Sequence, residues 1–305
     1  MERITTLMTS QATVFDLNSA LNRLSRTQAQ LASGKRITQP SDDPYGASLA
    51  VQLNSQLDGL SAYNRNVNDG TSWTQATDSA LMDMTKIVQR VRELTVGAAN
   101  GTNSAANLAA AAGEVDQLTD ALKQSAAATY NGQYVFSGTA NKQPYANGLA
   151  GDAYQGNAGP GSQITRQIGP GATNSVTINT DISGLLGNGL TGPGDNGLLT
   201  VFETISNDMK TGNSANLGKD LKNLDTNMSA LEGLQANVGA TENRLQLATS
   251  RIQDLQLSTT QILSNDQDVD MAQAAIDFST QQAAYTAALQ SSAKIVQSSL
   301  LNYLQ

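Results

Sequence analysis

Apolar residues at the start of the chain recur every seven positions. Leu7, Val14 and Leu21 lead into Gln28, and Ser10, Leu17, Leu24 and Leu31 form a second, offset series. Two such series over nearly four heptads predict a coiled-coil helix. Gly34 is placed to cap that helix at its C-terminus, with Lys35 and Arg36 beside its negative end. The run Pro40-Ser-Asp-Asp-Pro44 restarts the chain, with Asp43 as N-cap and Pro44 as the first residue of a new helix. That helix is predicted from Tyr45 to about Ala99, with Leu49, Leu53, Leu57, Leu60 and Val67 on one side and Leu81, Met84, Val88 and Val91 continuing the stripe. Asp69-Gly70 reads as a kink or weak point within it. A third helix is predicted from about Ser104 to Thr129, with Leu108, Val115, Leu118 and Leu122 inward.

The pattern then changes. Residues 131–197 hold 15 of the 26 glycines and 4 of the 6 prolines, with short β-like runs at Gln133–Phe136, Gln163–Ile168 and Ser175–Asn179. Helix returns from Leu198 to Met209, breaks at Thr211-Gly-Asn213 and resumes near Leu217. Leu231, Val238, Leu245 and Ile252 keep a seven-residue repeat, as do Leu234, Thr241, Ala248, Leu255 and Ile262. A polar hinge at Ser264–Asp268 precedes a last helix. The predicted fold is mainly α with a small β-rich insert. Residues 1–40 plus 268–305 form a terminal coiled-coil domain, 41–138 plus 196–267 a helical rod domain, and 139–195 a β-rich domain inserted in mid-chain.

The last helix is unusual for a chain end. From Phe278 onward its one charged side chain is Lys294, and its apolar residues fall on more than one line. Met271, Phe278 and Tyr285 define one; Ala275, Leu289, Val296 and Tyr303 define another, with Leu300 close by. A pair of helices shields a single stripe each, so these ends read as incomplete halves that gain order when neighbouring molecules finish the packing. Leu7, Val14, Leu17, Leu21, Leu24 and Leu31 with Met271, Phe278, Tyr285, Leu289, Val296, Leu300 and Tyr303 form the expected assembly seam.

Composition narrows the chemistry. The net charge of −8 with no block of like charge argues against a nucleic-acid partner. The absence of His and Cys removes disulfides, thiolate nucleophiles, imidazole bases and most zinc chemistry. No uninterrupted apolar stretch is long enough for a spanning helix, so no membrane partner is expected. The first residues lack the basic and apolar regions of a secretory signal, so export would need another route.

The remaining candidates favour structural roles. Asp42 and Asp43 fit helix capping before Pro44 better than paired acid–base work. Asp266, Asp268 and Asp270 alternate as in a calcium loop, but Met271 stands where the required glycine would be, so helix N-terminal charge is the better reading. Gly156–Gly161 lacks the Gly-Lys-Ser/Thr of a phosphate loop. No catalytic, cofactor-binding or metal-binding residue is expected. Trp73 and Met84 read as core, and Arg90, Arg92 and Glu93 as a solvated helix face or a lateral contact.

Several stretches of the chain carry a resemblance. Leu31-Ala-Ser33-Gly34-Lys35-Arg36-Ile37, followed by Pro40-Ser41-Asp42-Asp43-Pro44, resembles the N-terminal signature of the flagellin superfamily. Asn64–Gly70 and Val88–Leu94 resemble its rod. Tyr130–Thr139, the proline pair around Ser41–Asp43 and the ending Ser299–Leu304 are more similar to the FlgL-type hook-associated proteins. The resemblance spans about residues 1–140 and 195–305. It implies a structural role at the junction between the hook side of the bacterial flagellum and its filament. The implied partners are a FlgK-type hook-associated protein, flagellin, copies of the chain itself in a ring, and a FlgN-type export chaperone. The implied location is extracellular, after flagellar type III export from a cytoplasmic pool. The alternative is a short flagellin forming the filament itself. An export-apparatus tip protein or an enzyme finds no supporting motif.

Overall fold

The computed structural model describes residues 2–100, 102–145, 154–159, 161–171, 173–187 and 196–304, with side chains described at position 8 and from 11 to 293. The side chains of Leu7, Val296, Leu300 and Tyr303 therefore lie outside the described residues. The elements are α1 (Glu2–Ser33), α2 (Pro44–Ala99), α3 (Ala105–Ala126), β1 (Thr129–Tyr130), β2 (Gln133–Tyr134), a 3-10 turn (Gly138–Ala140), β3 (Thr165–Gln167), β4 (Ser175–Thr177), α4 (Ser183–Leu186), α5 (Leu198–Thr211), α6 (Ser214–Gln267) and α7 (Met271–Leu304). The fold is mainly α, with its few short strands in the middle of the chain.

The helix ends have local causes. Gly34, at φ +70, closes α1 with its N–H on Gln30 O at 2.8 Å. The Asp43 carboxylate accepts the Gly46 N–H at 3.0 Å and starts α2 at Pro44. Ser104 Oγ accepts the Asn107 N–H at 3.2 Å before α3. Gly212, at φ +72, ends α5. Asp270 Oδ1 accepts the N–H groups of Ala272 and Gln273 at 3.0 and 3.2 Å and starts α7. The expected polar hinge at Ser264–Asp268 is mostly helical, since α6 runs on to Gln267 and leaves only residues 268–270 as the turn.

The chain divides into two compact units, Met1–Gly59 with Leu255–Gln305, and Leu60–Asp254. The divisions fall inside α2 and α6 rather than in loops.

In the second unit α6 contributes Leu217, Leu224, Leu231, Val238, Leu245 and Ile252, a strict seven-residue repeat buried throughout. The second repeat on α6 is only half-buried where it passes Leu234, Thr241 and Ala248, because one seam suffices for a helix packed on one side. On α2 the buried residues are Leu60, Val67, Trp73, Thr74, Thr77, Leu81, Met84, Val88, Val91 and Thr95. The three threonines satisfy their hydroxyls on their own helix, on Gly70 O, Trp73 O and Val91 O at 3.1, 3.0 and 2.7 Å. Asp69-Gly70 is not a break, because α2 is continuous through it. A Cβ on Gly70 would stand 3.3 Å from Ile178 Cγ2 and Leu245 Cδ2, so the glycine marks a close approach.

The glycine-rich region starts with a tight hairpin. Thr129 and Tyr130 pair with Tyr134 and Gln133 across Asn131 (φ 49) and Gly132 (φ 76), the two positive values a type I′ turn needs. Tyr130 meets Trp73 edge to face at 6.0 Å, and Val135 and Phe136 follow into the core. The predicted strand Gln133–Phe136 is thus two residues long; Val135 still donates its N–H to Ala128 O at 3.1 Å, and Phe136 leaves the pairing for the core. A second hairpin pairs β3 with β4 in the register Thr165↔Thr177 and Gln167↔Ser175. It is held to α2 by Arg166 on Asp69 at 2.7 Å and by Asn66 Nδ2 donating to Gln167 O at 2.9 Å.

Leu245 is fully buried and Leu247 is exposed on the same helix. Leu245→Ala is expected to destabilise the second unit by about 2–5 kcal/mol, and Leu247→Ala by no more than about 0.5 kcal/mol. Urea unfolding of the two variants beside the wild type checks the difference.

Candidate functional site

The terminal helices α1 and α7 pack against each other, antiparallel, within the first unit. The residues that lose exposure follow alternating steps of four and three: Thr13, Leu17, Ala20, Leu24, Thr27 and Leu31 on α1, and Ala274, Phe278, Gln281, Tyr285, Ala288 and Ser292 on α7. Thr27 Oγ1 donates to Gln281 Oε1 at 2.8 Å in the seam. Half of these positions are Thr, Ala or Ser, which lets the helices approach closely.

The other heptad series points away from this pair. Val14 is 55% exposed, Leu21 45% and Phe15 75%, with Met8 also exposed. On α7, Met271, Ile276 and Leu289 are exposed. Of the expected seam, then, Leu17, Leu24, Leu31, Phe278 and Tyr285 meet within the chain, whereas Val14, Leu21, Met271 and Leu289 do not. A helix pair covers one stripe on each partner, and the close-packing small residues win that place. The seam reading missed Thr13, Ala20, Thr27, Ala274 and Gln281; their regular spacing was the available signal, hidden by their low hydrophobicity.

The turn after α1 is tied to the turn before α7. Lys35 and Asp268 form an antiparallel bridge, with Arg36 N donating to Gln267 O at 2.7 Å and Val269 N to Gly34 O at 3.0 Å. The Arg36 guanidinium donates to Asp266 O from Nε (3.2 Å) and Nη2 (2.8 Å), and Nη2 reaches Asp43 Oδ2 at 3.3 Å. Asp42 Oδ2 accepts Thr38 Oγ1, Thr38 N and Gln39 N at 2.9, 3.1 and 3.0 Å, and its Oδ1 pairs with Arg26 at 3.3 Å. The Thr38 hydroxyl is the main cause that holds the Asp42 carboxyl below its ordinary range. The Gly46 N–H, then Arg36, does the same for Asp43. Ser33 Oγ donates to Ala29 O at 2.8 Å and accepts Lys35 N at 3.2 Å, while Ser41 and Pro44 are exposed. Gly46 closes the cluster: a Cβ there would stand 2.5 Å from Ile37 Cδ1 and 2.8 Å from Asp43 Oδ2. Nothing in the sequence pattern singled out the Asp266 carbonyl, which matters only through Arg36, far away in the chain.

The other candidates resolve as structural groups. Arg90 pairs with Glu114 at 2.7 Å and Glu93 at 3.1 Å, and Arg92 with Asp225 at 2.7 Å. Trp73 and Met84 are core. Asp268 accepts the Ser264 hydroxyl at 2.6 Å, Asp270 caps α7 and Asp266 faces Arg36. Among the described residues no three acidic side chains are placed to hold a metal ion. The surface depressions are open grooves, one of them lined by Gln89, Arg92, Glu93, Asp225, Met228, Ser229 and Glu232.

Comparison with known proteins agrees with this layout. Residues 4–141 match the bacterial flagellin N-terminal helical region, and residues 221–304 match the bacterial flagellin C-terminal helical region. The two regions are halves of one family and together take in well over half of the chain, which belongs to the flagellin family. The chain is 38% identical over 141 residues to polar flagellin F of Vibrio parahaemolyticus, covering 46% of this chain and 37% of that protein. It is 29% identical over 277 residues to the flagellin of Bacillus subtilis, covering 85% of this chain and 87% of that protein. It shares its fold with the crystal structure of Bacillus cereus FlgL, at 20% identity and a TM-score of 0.58, over 70% of this chain and 99% of that one.

Arg36→Ala is expected to raise amide exchange in residues 34–46 and 264–272 and to cost about 1 kcal/mol, given the side chain's partial exposure. Arg36→Lys should not restore it, because an ammonium cannot hold Asp266 O from two nitrogens while reaching Asp43. Hydrogen exchange of the three proteins checks both outcomes.

Proposed function

We propose that this chain is a structural component of the bacterial flagellum, neither an enzyme nor a cofactor carrier, and that it forms the junction layer between a FlgK-type hook-associated protein and the flagellin filament. The observation that carries the structural role is the uncovered apolar face of the paired terminal helices, with Val14, Phe15 and Leu21 on α1 and Ile276 and Leu289 on α7. Monomeric proteins rarely leave such stripes open unless another surface covers them. Copies of the chain in a ring, with flagellin on one side, supply that cover. Export through the flagellar type III channel, with a FlgN-type chaperone on α7, accounts for the same exposed stripe before assembly. Catalysis would need a pocket with converging functional groups, whereas Arg36, Asp42, Asp43 and Asp270 cap and tie helices.

The junction role draws support from the hairpin Tyr130–Thr139, whose sequence is similar to FlgL-type proteins and whose Val135 and Phe136 anchor the start of the glycine-rich region. The fold shared with Bacillus cereus FlgL over nearly the whole of that chain adds to it. A second reading, filament subunit, is favoured by the similarity to Bacillus subtilis flagellin along most of both chains.

Immuno-electron microscopy of the native organelle is expected to label one narrow band where hook meets filament; label along the whole appendage transfers the role to filament subunit. In a strain carrying Val14→Asp with Leu21→Asp, motility and incorporation are expected to be lost while the purified monomer keeps wild-type helicity by circular dichroism. Normal motility of that strain overturns the assembly role of this face.

A further inference from the structure

Away from the terminal helices, one pair of side chains stands apart from every role described above. Asp208, in the last turns of α5, is 7% exposed, and Asp220, in the second turn of α6, is 6% exposed. Asp208 stands close enough to Asp220 to act on it both as a charge and as a hydrogen-bonding group. The Oδ2 atoms of both are buried, and neither has a hydrogen-bond partner among the described residues. Ionised carboxylates are acceptors only, so two of them cannot satisfy one another unless a proton stands between them. Buried, unpaired acceptors in direct contact are costly, and a shared proton removes that cost.

The surrounding charges do not offer an alternative. On α5 and α3, Lys210 and the Ser206 hydroxyl are committed to Asp116, at 2.8 and 2.6 Å. Lys123, buried on α3, is itself engaged. The short helix α4 carries no titratable group. On α6, Lys219 is the cation whose field reaches Asp220, and it is outweighed by burial and by Asp208. The pair also sits at a mechanical corner. Asp208 O accepts the N–H groups of Gly212 and Asn213, which reverse the chain from α5 into α6. A negative charge on Asp208 also lies at the unfavourable, C-terminal end of α5.

We propose that Asp208 and Asp220 carry one proton between them in the folded protein, and that the α5–α6 corner is an acid-stabilised joint that loosens when the proton is lost. Burial, then Asp208, pushes the Asp220 carboxyl up to about 6, from 3.8. A carboxyl raised on folding binds more protons in the folded than in the unfolded state between those two values. Its contribution is therefore greatest in weak acid, falls as pH rises through about 4 to 6, and is gone near neutrality. Glu242, raised by burial and by Asp78, has the same sign, so the test must isolate the pair. Asp42, Asp43 and Asp116 are lowered and act with the opposite sign, at lower pH.

The experiment compares wild type with Asp220→Asn and Asp208→Asn. An asparagine at either position supplies an N–H donor that does not titrate. In the wild type, amide exchange at residues 205–222, corrected for intrinsic rates, is expected to show about a tenfold rise in the open fraction from pH 5 to pH 7. In Asp220→Asn that rise should be absent, with the corner at neutral pH as closed as the wild type is in acid. A variant that keeps the full wild-type rise overturns the proposal. Should either variant fail to fold, 13C carboxyl titration of the wild type decides: a pair that gives up its last proton near 6 supports the shared proton, and loss of both protons in the ordinary carboxylate range near 4 overturns it.

Discussion

The tie between residues 34–36 and 267–269 is the interaction on which the terminal unit depends. Two helices that lie at opposite ends of the sequence can pack only if the chain brings their adjoining turns together. The backbone does this with the Lys35–Asp268 bridge, and Arg36 reinforces it by gripping the Asp266 carbonyl and the Asp43 carboxylate. One cation thereby joins the end of α6 to the start of α2, while Asp42 gathers Thr38, Gln39 and Arg26. The absence of a side chain at Gly46 lets Ile37 and Asp43 close over the helix start. Solvent-facing ion pairs contribute little singly. Here the guanidinium also satisfies a helix-terminal carbonyl that would otherwise depend on water.

The two units solve helix packing differently. In the second, α6 repeats a large aliphatic residue every seven positions and α2 answers with Val, Leu, Met and threonines whose hydroxyls fold back onto their own helix. In the first, the α1–α7 seam alternates Leu17, Leu24, Leu31, Phe278 and Tyr285 with small or polar residues, and Val14, Phe15, Leu21, Ile276 and Leu289 lie outside it. The unit of α2 and α6 buries its strongest hydrophobes within one chain. The terminal unit leaves several of its own exposed, so the two differ in how many heptad series face inward.

Much of this was legible in the residues themselves. The helix boundaries at Gly34, Pro44, Ser104, Gly212 and Asp270 follow from capping chemistry, which acts over a few residues and needs no tertiary context. The seven-residue repeat from Leu231 to Ile252 predicted its own burial. Asp69-Gly70 was misleading because a glycine that admits Leu245 and Ile178 looks, in sequence, the same as one that breaks a helix. The seam of α1 was read from both of its hydrophobic series, of which Leu17, Leu24 and Leu31 face α7 and Val14 and Leu21 do not; hydrophobicity reports only that a residue seeks cover. Whether α7 or another molecule provides it depends on how closely two backbones approach, which Thr13, Ala20 and Thr27 decide by being small. The Asp208–Asp220 contact was invisible, since it joins two helices across a turn and neither residue belongs to a motif.

The bond from Thr27 to Gln281 has a further consequence. The α1–α7 seam repeats its steps of four and three on both helices, so a slide by a whole heptad would again set seam positions against seam positions. A slide of seven residues would set Gln281 opposite Ala20 or Gly34, neither of which has a polar side chain to receive it. This half-buried polar contact thus acts as a detent that favours one alignment over its heptad-shifted neighbours. Together with the tie at the adjoining turns it keeps the outward stripes of the two helices in step with each other.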